Sequence, residues 1–343
     1  MFRKIRKKKL DSFKSILSGR HNMLIVLQDF PDPDAIAAAS ALKEIANTIG
    51  NVQCSVACGG VLGRAENRML VRYLDLNLLS TDQVMLADFD VVAMVDTQPG
   101  TGNNSLPVDV IPDIVIDHHP IRRATRSSAF YDIRSKYGST STILYEYVVS
   151  FGLTPDTKLT TALLYGIRSD TNDLGAESIQ ADIDASIALY PAANKKMLGR
   201  IQTERLPKEY FQMLTLGLQN ARSYGPCVVS SIGSINNPDM IGEIADLLLR
   251  NEESSWALCY GIYGKKMLLS LRALDTKYDA GRVMHKLVYK YGTGGGHNVM
   301  AGGQIPLPSA TPESIRRLER HIIKKFLKLT NAPRDKWERL VSL

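Results

Sequence analysis

Acidic side chains follow three apolar runs in the first 120 residues of the chain. The runs, with the residues that follow them, are Met23–Leu27 before Asp32 and Asp34, Val91–Val95 before Asp96, and Ile114–Ile116 before Asp117, His118 and His119. If these runs are parallel strands, their carboxyl ends lie along one sheet edge, where open α/β folds place their sites. Because so many like charges repel each other unless cations neutralise them, the pattern predicts a metal centre.

The types of the candidate ligands indicate which metal ions, and which reaction, the site suits. Carboxylate oxygens combined with imidazole suit Mn²⁺, Fe²⁺ or Zn²⁺ better than Ca²⁺. Two such ions about 3.5–4 Å apart polarise a phosphoryl group and generate a hydroxide between them. The pattern therefore favours phosphoester hydrolysis. The alternative for each single aspartate is that it caps a helix or shapes a turn.

Short apolar runs alternate with helical stretches in the first half of the chain, which is typical of a parallel α/β sheet. The predicted strands are Met23–Leu27, Val52–Ala57, Val91–Val95 and Ile114–Ile116, and the predicted helices are Asp34–Ile49, Thr140–Phe151 and Leu159–Ile167. From residue 181 to 222 the chain is helix-rich without a strand pattern, as in a linker. The fold class is therefore α/β, with a parallel-sheet domain joined by a helical linker to a smaller α/β domain.

The C-terminal part has its own pattern of strands and helices. The predicted strands are Cys227–Ile235, Trp256–Tyr263 and Met267–Leu274, and the predicted helices are Ile241–Arg250, Ala280–Tyr291 and Glu313–Leu327, with a glycine loop before the last helix. The last two strands form a plausible hairpin. The expected boundaries are a basic leader at 1–20, a catalytic domain at 21–180, the linker at 181–222, a substrate-binding domain at 223–330 and a tail at 331–343.

The net charge of +7 is concentrated in the leader, which contains eight Lys and Arg residues and a single acidic residue. The charges of the remaining residues sum to zero. The leader lacks the apolar core of a secretory signal, and no stretch of 18 residues is free of charge, which predicts a soluble, cytoplasmic protein. The cysteines are too few for a disulfide framework and are expected as buried thiols. They are Cys54, Cys58, Cys227 and Cys259.

Apolar residues recur at near-helical spacing in the leader, opposite its basic face. They are Phe2, Ile5, Phe13, Ile16 and Leu17. Such a segment can lie on anionic lipid or on nucleic acid. The alternative is a solvated terminal extension.

Four motifs of the chain resemble, in order, those of the DHH phosphoesterase superfamily. They are Pro31-Asp32-Pro33-Asp34-Ala35-Ile36, Asp96-Thr97, Asp117-His118-His119-Pro120 and Ser169-Asp170-Thr171. Gly294-Gly295-Gly296-His297, followed by Ala301-Gly302, resembles the glycine-rich signature of the DHH-associated C-terminal domain of the first subfamily, and Ser270-Leu271-Arg272 resembles its substrate-facing strand. The resemblance extends over about residues 22 to 330.

The resemblance implies a site with two Mn²⁺ ions, for which Mg²⁺, Fe²⁺ or Co²⁺ are possible substitutes. It implies that Asp32 and Asp96 hold the first ion, and that Asp34, Asp96, His118 and Asp170 hold the second, with Asp96 bridging. It also implies that Asp117 orients His118 and that His119 stabilises the charge on the phosphate.

The glycine motif has a physical interpretation of its own: Gly294, Gly295 and Gly296 end a helix and let backbone N–H groups approach a phosphate, beside His297 and Arg272. Its alternative is a glycine-rich helix C-cap.

One position departs from the family pattern. The family usually has a histidine four residues before the first aspartate of its Asp-x-Asp motif, and this chain has Gln28. A glutamine amide oxygen is a weak neutral ligand, so we expect the first metal to bind less tightly or to use other ligands. Asp29 is adjacent, but its side chain should point the other way along a strand.

The chain most resembles the branch of the superfamily that degrades nanoRNA and dephosphorylates phosphoadenosine phosphate. This implies hydrolysis of short oligonucleotides or nucleoside 3′,5′-bisphosphates, in a homodimer. The electroneutral sum over residues 21–343 argues against binding of long polyanions. The alternatives are hydrolysis of cyclic dinucleotides, polyphosphate or pyrophosphate, and a nucleotide-binding sensor whose catalysis is weakened by Gln28.

Overall fold

The computed structural model describes residues 5–175, 178–296, 298–308, 311–333 and 336–341. The chain divides into two compact units, Met1–Arg205 and Leu206–Leu343. Each unit is an α/β structure with its own sheet and core, so the predicted fold class is confirmed.

The first unit contains a six-stranded sheet in which all neighbouring strands are parallel. Its strands are β1 Asn22–Val26, β2 Gln53–Cys58, β3 Leu78–Ser80, β4 Val91–Val95, β5 Ile114–Asp117 and β6 Phe130–Ile133. Its helices are α1 Lys7–Leu17, α2 Pro33–Gly50, α3 Ala65–Tyr73, α4 Thr140–Ser150, α5 Thr157–Asp170, α6 Gln180–Leu189 and α7 Lys195–Gln202. The strand order is β3-β2-β1-β4-β5-β6, so the winding direction reverses between β1 and β4.

Helix α2 forms the centre of the first core, and small residues allow α5 to approach it closely. All residues from Pro33 to Ala39 are buried. A Cβ atom at Gly166 of α5 would lie 3.1 Å from the Asp34 Cα atom and 3.2 Å from the Ala37 Cβ atom. This close approach brings the C-terminal end of α5 beside the N-terminal end of α2.

The basic leader includes α1, which packs into the first unit. Phe13 is fully buried, and its ring centroid lies 5.4 Å from that of Phe130. Ile5 and Leu17 are also buried, and Lys9 forms a 2.7 Å ion pair with Asp132. The apolar side chains of Ile5, Phe13 and Leu17 therefore face the core, whereas Lys7 and Lys8 are exposed. Phe2 lies outside the described residues.

The second unit contains a seven-stranded sheet in the order β11-β12-β10-β9-β8-β7-β13. Its strands are β7 Arg222–Tyr224, β8 Cys227–Ser234, β9 Trp256–Tyr263, β10 Lys266–Ala273, β11 Thr293–Gly296, β12 Met300–Pro306 and β13 Glu338–Arg339. Its helices are α8 Lys208–Asn220, α9 Asp239–Leu249, α10 Ala280–Val288 and α11 Pro312–Leu329. Strands β8 and β9 are parallel, and β9 and β10 form the predicted antiparallel hairpin.

Helices cover both faces of the second sheet. One face packs against α8 and α9, and its core includes Val228 and Cys259. The other face packs against α10 and α11, and its core includes Val229 and Tyr260. The predicted linker is divided, since α6 and α7 lie in the first unit and α8 lies in the second.

The glycine motif does not form the expected loop after a helix. Gly294 and Gly296 lie in β11, an edge strand that pairs with β12. A Cβ atom at Gly294 would lie 2.8 Å from Val288 Cγ2 of α10, and Gly296 has a φ of +154°. The glycines therefore allow this strand to pack closely over α10, a constraint that the sequence pattern does not reveal. His297 lies outside the described residues.

The two units differ in net charge once the basic leader is set aside. Residues 21–205 carry a net charge of −7, and residues 206–343 carry +7. The zero sum over the body of the chain thus conceals an acidic part and a basic part.

All four cysteines are free thiols, and three of them are buried. Among the described residues, no helix is both long enough and apolar enough to cross a membrane.

Candidate metal centre

The carboxyl ends of β1, β4 and β5 position the acidic motifs. The reversal of winding between β1 and β4 opens a crevice at this edge of a parallel sheet. Asp96 directly follows β4 and has a φ of 59°, in the left-handed region that aspartate and asparagine tolerate better than most residues. Asp117 is the last residue of β5 and is fully buried.

The amino end of α4 holds the Asp34 carboxylate. The backbone N–H groups of Thr140 and Ser141 donate to its two oxygens over 2.7 and 2.8 Å. Burial, followed by the nearby charge of Asp170, raises the pKa of Asp34 to about 7. The two backbone N–H groups therefore fix the position of this carboxyl group, but they do not fully compensate its negative charge.

His118 lies between Asp34 and Asp170, and one ligand atom from each of the three lies within 4.8 Å of the others. Its Nε2 atom is 3.0 Å from Asp170 Oδ2, while its Nδ1 atom is 3.1 Å from the carbonyl oxygen of Tyr137. That carbonyl fixes the ring so that Nε2 faces the carboxylates. Burial lowers the pKa of His118, but the carboxylates, Asp170 first, outweigh it and raise this pKa well above its usual value.

A second group overlaps the first at His118. It consists of Asp96, Asp117, His118 and His119, whose ligand atoms also lie within 4.8 Å of one another. Asp96 Oδ1 is 3.5 Å from His118 Nε2 and accepts a 2.9 Å hydrogen bond from the Thr140 hydroxyl. Burial, together with the charges of Asp32 and Asp34, raises the pKa of Asp96 well above its ordinary value.

Asp117 contacts His119, whereas the resemblance implied that it orients His118. Its Oδ1 atom is 2.8 Å from His119 Nδ1 and accepts a 3.1 Å hydrogen bond from the His119 backbone N–H. An aspartate readily binds the backbone two residues further on. The nearby Tyr137 carbonyl already occupies the Nδ1 side of His118. Burial raises the pKa of Asp117, but the charge and hydrogen bonds of His119 outweigh it and hold that pKa below its usual range.

Gln98 is a buried residue of the site that the sequence analysis missed. Its Nε2 atom donates to Asp117 Oδ2 over 2.6 Å, and its Oε1 atom accepts from the Arg122 N–H and the Thr125 hydroxyl, each over 2.8 Å. Gln98 thereby ties Asp117 to the following loop. Its position just after the Asp96-Thr97 motif was the available signal, but a glutamine in a polar segment resembles a surface residue.

Asp32 is the N-cap of α2 and lies outside both groups of close ligand atoms. Its carboxylate accepts hydrogen bonds from the Ala35 N–H over 2.9 Å and from Gln28 Nε2 over 3.0 Å. Burial, followed by the charge of Asp170, raises the pKa of Asp32. In this arrangement Gln28 orients Asp32 through its amide N–H group.

A chain of ion pairs and hydrogen bonds connects α1 to the site. Asp132 accepts from Lys9 and, over 2.8 Å, from Arg134 Nη2. Arg134 also pairs with Glu146, which accepts a 3.0 Å hydrogen bond from the Tyr137 hydroxyl. The carbonyl of the same tyrosine holds His118.

The donor set of this cluster fits a divalent metal. Buried carboxylates whose pKa values are raised by one another gain from a compensating cation. Oxygen donors combined with an imidazole nitrogen are the ligands of Mn²⁺ and related ions. The structure therefore contains an acidic cluster that can bind a divalent metal, in which the group of Asp34, His118 and Asp170 overlaps the group of Asp96, Asp117, His118 and His119 at His118.

The predicted substrate residues lie in the second unit. Arg272 forms an ion pair with Asp246 of α9 and donates a 2.7 Å hydrogen bond to the Ser270 hydroxyl. Its side chain is only 12% exposed. The structure thus holds Arg272 against α9, while Gly294, Gly295 and Gly296 lie in β11.

Comparison with known families gives two matches. Residues 22–167 match the family described as "DHH family, N-terminal domain". Residues 225–324 match the family described as "DHHA1 domain".

One curated relative is an uncharacterized protein of Methanocaldococcus jannaschii. It is 32% identical over 308 residues, which cover 88% of this chain and 62% of the relative. The chain therefore spans less than two thirds of that protein's length.

Two solved structures share the fold. An exopolyphosphatase-related protein from Bacteroides fragilis superposes with a TM-score of 0.73 at 17% identity, covering 96% of this chain and 100% of that one. Exonuclease RecJ bound to manganese superposes with a TM-score of 0.50 at 14% identity, covering 94% and 96% of the two chains.

Proposed function

We propose that this chain, in which a DHH family N-terminal domain precedes a DHHA1 domain, is a metal-dependent phosphoesterase. Its proposed substrates are short oligonucleotides and nucleoside 3′,5′-bisphosphates. The observation that carries the proposal is the convergence of Asp34, Asp96, His118 and Asp170 at the carboxyl edge of a parallel sheet, where the first three are buried and Asp170 is partly exposed.

In the proposed site Asp34, Asp96, His118 and Asp170 hold one metal ion, and Asp32 and Asp96 hold a second. Bound metal ions would supply charge neutralisation at the phosphoryl group and lower the pKa of a water molecule. Manganese is the ion we propose, and the donor set supports this choice.

The residues of the chain supply positioning and proton control around that phosphate. Thr140 fixes Asp34 with its backbone N–H and Asp96 with its hydroxyl. His119 is held by Asp117 at Nδ1 while its side chain remains 34% exposed. In the proposal the partly exposed ring of His119 contacts a phosphate oxygen.

A substrate panel tests the proposal. Initial rates are measured with Mn²⁺ on a dinucleotide, a five-nucleotide and a twenty-nucleotide RNA, a nucleoside 3′,5′-bisphosphate, a cyclic dinucleotide, polyphosphate and pyrophosphate. We expect hydrolysis to be fastest on the short RNAs or the bisphosphate, and the Asp96→Asn protein serves as the matched control. Hydrolysis of pyrophosphate or polyphosphate alone would contradict the substrate class, and no metal-dependent hydrolysis of any compound would contradict the activity.

A second candidate is a nucleotide-binding sensor with weakened catalysis. It is favoured by one observation, the Gln28 amide that contacts Asp32 where the family usually has a metal-binding histidine. A sensor would bind nucleotide tightly and turn it over only slowly, and Gln28→His would increase its turnover.

A further inference from the structure

A cavity of about 460 Å³ lies in the second unit, between the strands β7 to β9 and helix α11. It opens on the sheet face that packs against α11, because its lining includes Val229 and Tyr260 of the core on that side. Arg272 instead pairs with Asp246 on α9, and the glycine motif lies in β11 at the far edge of the sheet. The cavity is therefore separate from the substrate residues discussed above.

Three arginines form the rim of this cavity. Arg222 is on β7, and Arg316 and Arg320 are one turn apart on α11, so their side chains share one helix face. Arg222 stacks on the Trp337 ring, 4.4 Å from its centroid, and Arg320 Nε donates a 3.3 Å hydrogen bond to the Arg316 carbonyl. Among the described residues, no ion pair with a carboxylate engages any of the three guanidinium groups. Since the whole unit carries a net charge of +7, the rim is suited to an anion.

The floor of the cavity is polar but not cationic. Tyr260 is only 5% exposed, and Ser231 and the half-buried Glu319 line the cavity beside it. The apolar side chains of Val229 and Ile323 complete the wall. Glu319 is half-buried, whereas Arg222, Arg316 and Arg320 are exposed, so the carboxylate lies deeper in the cavity than the guanidinium groups. This arrangement suits a ligand with an anionic end and a second end that donates hydrogen bonds.

We propose that this cavity binds a nucleoside phosphate. A bare phosphate is too small to fill it, and a longer inorganic polyanion would bring negative charge against Glu319. Guanidinium groups bind phosphate oxygens bidentately, and a carboxylate accepts hydrogen bonds from the ribose hydroxyls. The phosphates are thus assigned to Arg222, Arg316 and Arg320, and the ribose to Glu319.

Calorimetric titration of the full chain with 5′-AMP and with pyrophosphate tests the assignment. The titrations use the Asp96→Asn protein in a chelator, so that metal binding and turnover do not contribute. We expect the added double substitution Arg316→Ala, Arg320→Ala to weaken AMP binding at least tenfold. The matched control is Arg317→Ala, because Arg317 is 79% exposed, faces Glu313 and does not line the cavity; its AMP affinity should be unchanged.

A second substitution tests the ribose end. Glu319→Gln should weaken the binding of AMP but strengthen that of pyrophosphate, because it removes a negative charge and a strong acceptor together. Thermal unfolding of each variant checks that the unit remains folded. The proposal is overturned if millimolar AMP does not bind, if the double arginine variant binds AMP as the parent does, or if Glu319→Gln affects both ligands in the same way.

Discussion

The Gln98 side chain donates a 2.6 Å hydrogen bond to Asp117, the carboxylate that in turn holds His119 at 2.8 Å. We therefore expect Gln98→Leu to lower kcat by about 10- to 100-fold, the usual range for outer-shell partners of a metal site. The KM for a short substrate should change little, because Gln98 is fully buried and away from solvent. Steady-state kinetics measures both, and an unchanged kcat would show that Asp117 needs no support from Gln98.

Asp96→Asn should abolish metal-dependent hydrolysis without disturbing the fold. Asparagine tolerates the left-handed backbone of this position and can still accept the Thr140 hydrogen bond. Activity assays and circular dichroism on the purified variant measure the two effects. Turnover near that of the unmodified protein would exclude Asp96 as a shared metal ligand.

Gln28→His should tighten Mn²⁺ binding at the first site by roughly tenfold, because an imidazole nitrogen is a good metal ligand and the Gln28 amide instead donates to Asp32. Metal titration by calorimetry compares it with Gln28→Ala, which removes the Asp32 contact without adding a ligand. Equal affinities in all three proteins would mean that position 28 does not contribute to metal binding.

The metal-free protein should lose stability as pH rises from about 4 to above 7. The folded pKa of Asp34 is about 7, well above the ordinary pKa of an aspartate. A carboxyl group with a raised folded pKa stabilises the fold fully below its unfolded pKa and loses that contribution as pH rises through the folded pKa. For Asp34 alone the loss is at most about 4 kcal/mol, at 1.36 kcal/mol for each pKa unit.

Thermal unfolding at pH 5 and pH 8 measures this loss. Asp34→Asn should show a smaller decrease in Tm than the unmodified protein, and added Mn²⁺ should restore the Tm at pH 8. Identical pH dependence in the two proteins would show that the charge of Asp34 is compensated without metal.

Phe13→Ala should destabilise the first unit by about 3–5 kcal/mol, the usual cost of removing a buried phenylalanine ring. Phe13 packs against Phe130, Tyr147 and Phe151. Denaturant unfolding measures the change, with Lys8→Ala as the control, because Lys8 belongs to the same helix without being buried. A loss below 1 kcal/mol would mean that α1 contributes little to this core.

Much of the fold was predictable because periodic apolar runs are strong signals. Strand β4 and the hairpin of β9 and β10 formed at or within one residue of the predicted positions. Strands β3 and β6 were missed, since runs of three and four residues carry too little pattern. The glycine motif was predicted as a loop because glycine usually breaks a strand, whereas here its missing side chains make room for α10.

For the candidate site, the proximity of the acidic strand ends was predictable from the sequence, but the contacts between individual side chains were not. Parallel strands bring Asp96 and His118 to one edge whatever the loops do, so their proximity follows from topology. Which atom orients the His118 imidazole depends on the loop before α4, where the Tyr137 carbonyl lies. No periodicity specifies that loop, and the roles of Asp117 and Gln98 were therefore beyond the reach of the sequence.

The ion-pair chain from Lys9 to Tyr137 has a consequence for hydrogen exchange. Helix α1 is short and attached to the domain by one side, so it should open locally more often than the strands of the sheet. Each opening breaks the Lys9 to Asp132 link and loosens the loop whose carbonyl fixes His118. The backbone amides around Tyr137 should thus exchange with deuterium at rates that follow those of α1, although more than a hundred residues separate them along the chain.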